Sequence, residues 1–124
     1  MSELVREGDR WTLPVSGGYV LQVCFDHAVT LRLDNKVMVR IEQPFVVTGT
    51  DGERLVNPEK DPGSLAAAVV LVPATMDSGV AYTDGRLELT LEGGTRISVP
   101  ANDDYEPWEV MAPDGSRAIS LPGG

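Results

Sequence analysis

Few residues of this 124-residue chain have the chemistry of a catalytic nucleophile or base, and they lie together near one position. His27 is the single histidine, and Cys24 and Asp26 stand just before it. A cysteine beside a histidine would be a candidate nucleophile with its base. The alternation of apolar and polar residues, however, places Cys24 within a strand and His27 in the turn that follows, so the two side chains need not converge. We expect Cys24 to be a small apolar residue, and we assign no catalytic residue.

Metal and cofactor chemistry has equally little support. One histidine and one cysteine cannot complete a zinc site without carboxylates, and the acids do not follow a calcium-loop pattern. The chain contains no glycine motif typical of nucleotide binding and no nucleophile elbow. Nineteen acids leave carboxylate-pair chemistry open, but no particular pair is indicated. We therefore expect neither a metal nor a cofactor.

The most unusual segment is Asn102–Glu109, which mixes four acids with two aromatic residues. Its Trp108 matches Phe45 in an earlier part of the chain, so we expect Trp108 in the core. The loop before it is the candidate binding site, for a basic or hydroxyl-rich partner. The candidate binding residues are Asp103, Asp104, Tyr105 and Glu106. The alternative is a solvated acidic loop in which Tyr105 is only an anchor.

The elements that position this segment are hairpins, of which Gly85–Pro100 is the clearest. Leucines alternate with polar residues from Leu87 to Leu91, which predicts a strand with one apolar face. A three-residue loop, Glu92-Gly93-Gly94, sets Leu89 opposite Ile97 and keeps the apolar residues on one face. The hairpin register follows from that loop.

An earlier copy of this hairpin lies at Ala28–Ile41. A loop at Asp34-Asn35-Lys36 sets Leu31 opposite Val39, as the later loop does for Leu89. Lys36 stands where the later copy has Gly94, which predicts a different turn geometry. The match predicts an internal duplication, in which Leu31 superposes on Leu89, Val39 on Ile97 and Phe45 on Trp108, all buried.

The match continues into a second hairpin in each half. Each contains an Asp-Gly pair, at positions 51–52 and 114–115, and this pair is a strong signal for a two-residue turn. That turn sets Val47 opposite Val56, and Val110 opposite Ile119.

The remaining segments are less regular. Residues 1–10 read as a loose start, and 11–15 as a short edge strand. In the strand Tyr19–Phe25 we expect Leu21, Val23 and Phe25 to oppose Leu33, Leu31 and Val29. Residues 65–72 predict a short helix of two to three turns that buries Leu65, Ala68, Val69 and Val72.

The predicted fold is mainly β: an antiparallel β-barrel or a two-layer sandwich of about ten short strands. It is one domain, residues 1–124, built from two similar halves with one short helix between them. The first half is about residues 19–56, the helix-containing connection 57–77 and the second half about 78–121. The pattern leaves barrel and sandwich open.

Composition limits the class of partner. The formal net charge of -9 disfavours nucleic acid and favours a basic protein partner. The longest apolar run is too short to cross a membrane, and we expect no membrane association. A single cysteine excludes an internal disulfide and fits a reducing compartment, so we expect a cytoplasmic location. The sequence does not indicate an oligomeric state.

A resemblance appears in the C-terminal residues Tyr105-Glu106-Pro107-Trp108, Pro113-Asp114-Gly115 and Pro122-Gly123-Gly124. They resemble the signature Tyr-Glu-x-Trp … Gly-Pro-x-Gly … Pro-Gly-Gly of a family of small, uncharacterised bacterial proteins, chiefly from actinobacteria. Phe25–Leu33 and Gln43-Pro44-Phe45 are similar to that family's first half, whereas Ala112 replaces its usual glycine. The resemblance implies a bacterial, cytosolic protein of the predicted fold and assigns no site.

These observations favour a non-enzymatic binding or interaction protein, of which an immunity- or inhibitor-like protein is one form. The alternative is a small-molecule-binding β-barrel, with a pocket lined by Trp11, Tyr19, Tyr82 or Trp108. An enzyme that uses unassigned carboxylates is the third hypothesis.

Overall fold

Two antiparallel β-sheets form the protein, and the computed structural model describes residues 5–102, 104, 107–113, 115 and 117–119. The strands of the described residues are β1 (Val5–Glu7), β2 (Arg10–Thr12), β3 (Val20–Phe25), β4 (Val29–Leu33), β5 (Met38–Ile41), β6 (Phe45–Gly49), β7 (Gly52–Val56), β8 (Met76–Tyr82), β9 (Leu87–Leu91), β10 (Arg96–Val99), β11 (Trp108–Met111) and β12 (Arg117–Ile119). Sheet I has the order β1-β2-β8-β9-β10-β6-β7, and sheet II the order β12-β11-β5-β4-β3. Because both sheets are open at edge strands, the two-layer sandwich is confirmed and the closed barrel is wrong.

The two halves exchange their second hairpins. Strands β3, β4 and β5 of the first half lie in sheet II, but β6 and β7 cross to sheet I and pair with β10. Strands β8, β9 and β10 lie in sheet I, while β11 and β12 cross to sheet II and pair with β5. Both halves therefore have the same strand order, as the internal duplication predicts. One hydrophobic cluster contains buried residues of both halves, so the halves share a core.

The predicted register of the first hairpin is confirmed in both halves. Leu89 pairs with Ile97, and Leu31 pairs with Val39. All four side chains are fully buried. The register is a local property, because a one-residue slip would turn every leucine of β9 to solvent.

The turns of these two hairpins share a left-handed backbone conformation at one matched position. Lys36 has a φ of 70° and Gly94 a φ of 86°, so both adopt the left-handed conformation. Lys36 therefore matches Gly94 in conformation, and the predicted difference between the two turns lies at another position. The Asn35 side chain accepts a hydrogen bond from the Val37 N–H at 3.1 Å and supports the turn. The turns differ one residue earlier, where Gly93 has a φ of 80°.

The predicted register of the second hairpin is wrong in both halves. Val56 pairs with Phe45 rather than Val47, so the turn is Thr50-Asp51. This shift of two residues leaves Val56 on the core face, which is why alternation could not detect it. In the second half, Val110 pairs with Ala118 rather than Ile119.

Strand β3 contains a bulge that the sequence analysis missed. Leu33 pairs with Val20 and Arg32 with Gln22, so Leu21 is the extra residue. Leu21 is 54% exposed and does not oppose Leu33 as predicted. Beyond the bulge the expected pairs form, with Val23 opposite Leu31 and Phe25 opposite Val29.

The connection between the halves is less helical than predicted. It has a 3₁₀ turn, Pro62–Leu65, followed by a single α-helical turn, α1 (Ala66–Val69). Ala68 is buried and Leu65 packs against the core, but Val69 and Val72 are exposed, which corrects the predicted helix face. Ala67, in α1, and Leu71, just after it, are buried instead. Neither segment, nor any other helix in the described ranges, has the length and apolarity to cross a membrane.

The N-terminal region is more ordered than predicted. β1 pairs with β2, and β2 pairs with β8. Trp11 therefore lies in an inner strand of sheet I rather than in an edge strand.

Candidate functional site

One end of the sandwich gathers the turns that carry the candidate binding residues. The turns follow or precede paired strand ends: Phe25 pairs with Val29, Ile41 with Trp108, and Phe45 with Val56. We call this region the loop end; it comprises residues 26–28, 42–44, 57–61 and 83–86 and the described residues of the insertion, 100–102, 104 and 107. Because the sheets are antiparallel, segments distant in sequence meet there.

Of the predicted binding residues, Asp104 lies at the loop end. Asp103, Tyr105 and Glu106 are outside the described residues. Asp104 is exposed, as expected, and its N–H donates to the Asn102 side-chain oxygen at 2.8 Å. The structure thus places one of the four predicted residues, in an exposed turn supported by Asn102.

Gln43 and its neighbours fasten both ends of the insertion to the sandwich. Gln43 Nε2 donates to the Pro100 carbonyl at 2.6 Å, and Asn102 Nδ2 donates to Gln43 Oε1 at 3.0 Å. On the other side, the Glu42 N–H donates to the Pro107 carbonyl at 2.7 Å. The insertion is therefore attached to the 42–44 link between the two sheets.

Trp108 is buried at the base of the insertion, which confirms its predicted place in the core. Its Nε1–H donates to the Gly85 carbonyl at 2.8 Å. Trp108 lies in sheet II and Gly85 in the turn between β8 and β9 of sheet I, so this hydrogen bond joins the sheets. Phe45, the matched residue of the first half, is likewise buried.

A cleft of about 420 Å³ lies beside the insertion and was not predicted. Its lining includes Phe25, Glu42, Gln43, Glu59 and Lys60. Gln43 belongs both to this cleft and to the hydrogen bonds that hold the insertion. Sequence reasoning missed Glu42 and Glu59 because they stand in separate turns, without a local motif. Only their position after paired strands would have indicated that they meet.

Asp26 anchors the turn at one side of this cleft. Its Oδ1 accepts hydrogen bonds from the His27 N–H at 2.6 Å and the Ala28 N–H at 3.0 Å. Arg40 Nη2 lies 3.5 Å from the same oxygen. The two backbone hydrogen bonds, and then the charge of Arg40, lower the pKa of Asp26 to about 2. Asp26 therefore stays ionised at any ordinary pH.

Arg40 also approaches the cleft acid Glu42, with Nε 3.9 Å from Oε2. Both side chains are partly exposed and the separation is near the limit for an ion pair, so we expect little stabilisation from it. The placement of Cys24 within β3 and of His27 in an exposed turn is as predicted.

The equivalent turn of the second half has the same design. Asp84 Oδ1 accepts from the Arg86 N–H at 3.1 Å, and Oδ2 lies 2.8 Å from Arg86 Nε. The backbone hydrogen bond to Arg86 lowers the pKa of Asp84. The Arg86 guanidinium lies 4.4 Å from the centre of the Tyr82 ring. Arg86 is therefore occupied by Asp84 and Tyr82 within its own turn.

A second cleft, of about 380 Å³, lies at the opposite end of β7 and is lined by residues that include Val47, Val70 and Leu71. None of the aromatic residues expected around a small-molecule pocket lines either of these clefts: Trp11, Tyr19, Tyr82 and Trp108. Within the described residues, no group of three or more acids, histidines and cysteines is arranged to hold a metal ion. The loop-end cleft offers recognition by the carboxylates of Glu42 and Glu59, by amides and by the Phe25 ring, with the basic groups of His27 and Lys60 also in its lining.

Comparison with known proteins identifies a family but no activity. A model described as a family of unknown function, DUF6188, matches residues 11–124, which is most of the chain. No curated protein and no solved structure matches.

Proposed function

We propose that this protein is a non-enzymatic binding protein for a basic partner. The chain belongs to the DUF6188 family, whose function is unknown. The observation that carries this proposal is the cleft at the loop end. Glu42 and Glu59 line it, and the insertion with exposed Asp104 is hydrogen-bonded to its wall through Gln43. A lysine or arginine side chain of the partner enters this cleft.

Phe25 gives the cleft an apolar surface that suits such a side chain. Phe25 is 45% exposed and lines the cleft with the two glutamates. Lysine and arginine have long aliphatic stems that pack on apolar surface while the charged head reaches carboxylates. An aromatic ring face also attracts the cation. The combination of Phe25, Glu42 and Glu59 therefore favours a basic side chain over an acidic or small polar one.

The net charge of the chain acts at longer range. A charge of -9 attracts a basic protein before contact and raises the association rate, an effect that salt suppresses. Small size and strong acidity are typical of proteins that mask a basic surface. We therefore propose an immunity- or inhibitor-like protein as the specific form of this function.

We infer a bacterial and cytoplasmic setting for this binding. The likeness of Tyr105–Trp108 and of the closing Pro-Gly-Gly to an actinobacterial signature supports the origin. The single Cys24 supports a reducing compartment.

Buried side chains such as Leu31, Phe45 and Leu89 fill the space between the sheets, which disfavours a ligand-binding interior.

The test is binding of the full chain to lysine- and arginine-rich peptides, with neutral peptides of matched length for comparison. Fluorescence anisotropy at low and high salt gives the dissociation constants. The double variant Glu42→Gln/Glu59→Gln should weaken binding about tenfold or more and flatten its salt dependence. The matched control is Glu53→Gln, an exposed acid near the other end of β7. Equal weakening by the control, or binding that salt does not change, would contradict the proposal.

A further inference from the structure

The outer edge of β3 is an unusual surface that the proposed function uses only at its last residue, Phe25. Among the described strands, β3 pairs only with β4 and forms one edge of sheet II. We propose that two copies of this chain pair antiparallel along β3, which joins their two copies of sheet II into one continuous sheet.

The internal duplication supplies the first argument. In the second half, β8 occupies the position that β3 has in the first half, next to the central strand of its meander. The outer edge of β8 is covered by β2, through the pairs Trp11–Ala81 and Thr12–Val80. The fold therefore accepts a further antiparallel strand at this position. In sheet II the Ala74–Thr75 segment contacts only the start of this edge, where the Val20 N–H donates to the Ala74 carbonyl at 2.9 Å. No described strand pairs with the outer edge of Gln22–Phe25.

The second argument is the absence of charge. The run Trp11–Phe25 contains no charged residue, although charged residues make up 23% of the chain. Edge strands are usually protected from pairing by charges, and the other described edge strands carry them: Arg6 in β1, Arg54 in β7 and Arg117 in β12. β3 has no such protection.

This neutral edge selects the occupant. A basic partner gains nothing from an uncharged strand. Two copies of a chain with a net charge of -9 repel each other, so a contact surface that brings no further like charges together favours their association. β3 is such a surface, which favours a second copy as its partner.

The third argument is exposed apolar area that antiparallel pairing would cover. Leu21 is 54% exposed and Phe25 45%, and Tyr19, just before the strand, is 38% exposed. A two-fold axis brings the same strand of the other copy against this edge in the opposite direction, so the contact is self-complementary. The regular ladder of Gln22–Phe25 with β4 provides the pairing stretch, and the bulge at Leu21 ends it. The contact is small, so we expect a weak dimer.

The experiment measures the mass of the full chain in solution by sedimentation equilibrium, from about 1 µM to about 1 mM, a range that covers weak contacts. The monomer mass is 13.3 kDa, and we expect a concentration-dependent dimer. Leu21→Lys should raise the dimer dissociation constant about tenfold or more, because it places a charge at each end of the paired stretch, and a charge on an edge strand opposes pairing. Gln22→Lys is a second variant at an exposed position, and both are checked for folding by circular dichroism. The matched control is Leu55→Lys, which changes a leucine of similar exposure in β7 and adds the same charge.

Cross-linking of Cys24 shows which surface the dimer uses. Cys24 lies within the pairing stretch, and it is the single cysteine of the chain. A short bismaleimide should therefore link the two copies in the parent chain and fail to do so in Leu21→Lys. A chain that stays monomeric up to about 1 mM overturns the proposal. So does a dimer that Leu55→Lys weakens as much as Leu21→Lys, or one that Cys24 cannot cross-link. Variants at Leu21 and Gln22 lie outside the loop-end cleft, so failure here leaves the proposed basic partner untouched.

Discussion

Replacement of Trp108 tests whether the strand that follows the insertion is held in the core by this residue. Trp108 is 2% exposed, and its indole N–H donates to the Gly85 carbonyl in the other sheet. Trp108→Ala removes this bond and a large buried side chain, which should lower the free energy of unfolding by about 3–5 kcal/mol. That is a large part of the roughly 5–15 kcal/mol expected for a domain, so this variant alone could simply fail to fold.

Trp108→Phe separates the hydrogen bond from the bulk of the packing. It keeps an aromatic ring in the core but cannot donate to Gly85. We expect a loss of about 1–3 kcal/mol, of which the hydrogen bond accounts for about 0.5–1.5 kcal/mol. Phe45→Leu is a suitable control, because it shortens the matched buried side chain of the first half without removing a polar atom.

The acids in front of Trp108 should behave in the opposite way. The combined change Asp103→Asn/Asp104→Asn/Glu106→Gln should alter the free energy of unfolding by no more than about 0.5 kcal/mol, because acids of like sign stabilise one another little and Asp104 is exposed. It should slow association with a basic peptide and flatten the salt dependence.

Urea denaturation followed by far-ultraviolet circular dichroism measures all of these variants, since it does not depend on tryptophan emission. Trp108→Ala with a free energy of unfolding within about 0.5 kcal/mol of the parent would refute the buried position of Trp108. Unfolding by the triple neutralisation would show that the acids hold the loop together and are not available to a partner.

The remaining predictions concern a titration and the core. Hydrogen bonds from His27 and Ala28 lower the pKa of Asp26 from 3.8 to about 2, so the folded state binds fewer protons than the unfolded state between these values. The stability that this carboxylate contributes is present above pH 4 and is lost as the pH falls from about 4 to about 2. Asp26→Asn should lessen that loss. An NMR titration of the Asp26 carboxyl with its midpoint near 3.8 would contradict the reasoning. Leu89→Ala, at a fully buried position, should cost about 2–5 kcal/mol in urea denaturation, and a cost below about 1 kcal/mol would place Leu89 outside the core.

The sequence by itself determined the local β-structure. Alternating leucines in β9 and the three-residue loop Glu92–Gly94 specify a face and a register within one hairpin, and the structure confirms both. The same holds for β4 and β5. These features depend on residues a few positions apart, where steric alternation and turn length leave one arrangement with all apolar residues on one side.

The alternation of apolar and polar residues could not predict the strand register where two registers bury the same side chains. A shift of two residues between β6 and β7 leaves Val56 on the core face, so alternation could not distinguish Phe45 from Val47 as its partner. The bulge at Leu21 and the face of the short helix depend on how those segments meet the rest of the core. Neither has a signal in the sequence around it.

Only the tertiary structure decided how the halves combine and where a site can form. The crossing of β6 and β7 to β10, and of β11 and β12 to β5, depends on pairings between strands far apart in sequence. These crossings bring Glu42, Glu59 and the acidic insertion to one end of the sandwich, although no motif links them. The sequence specified which residues face the core because that is a matter of neighbouring positions. The cleft required the fold, since its walls come from turns that meet only when both sheets are complete.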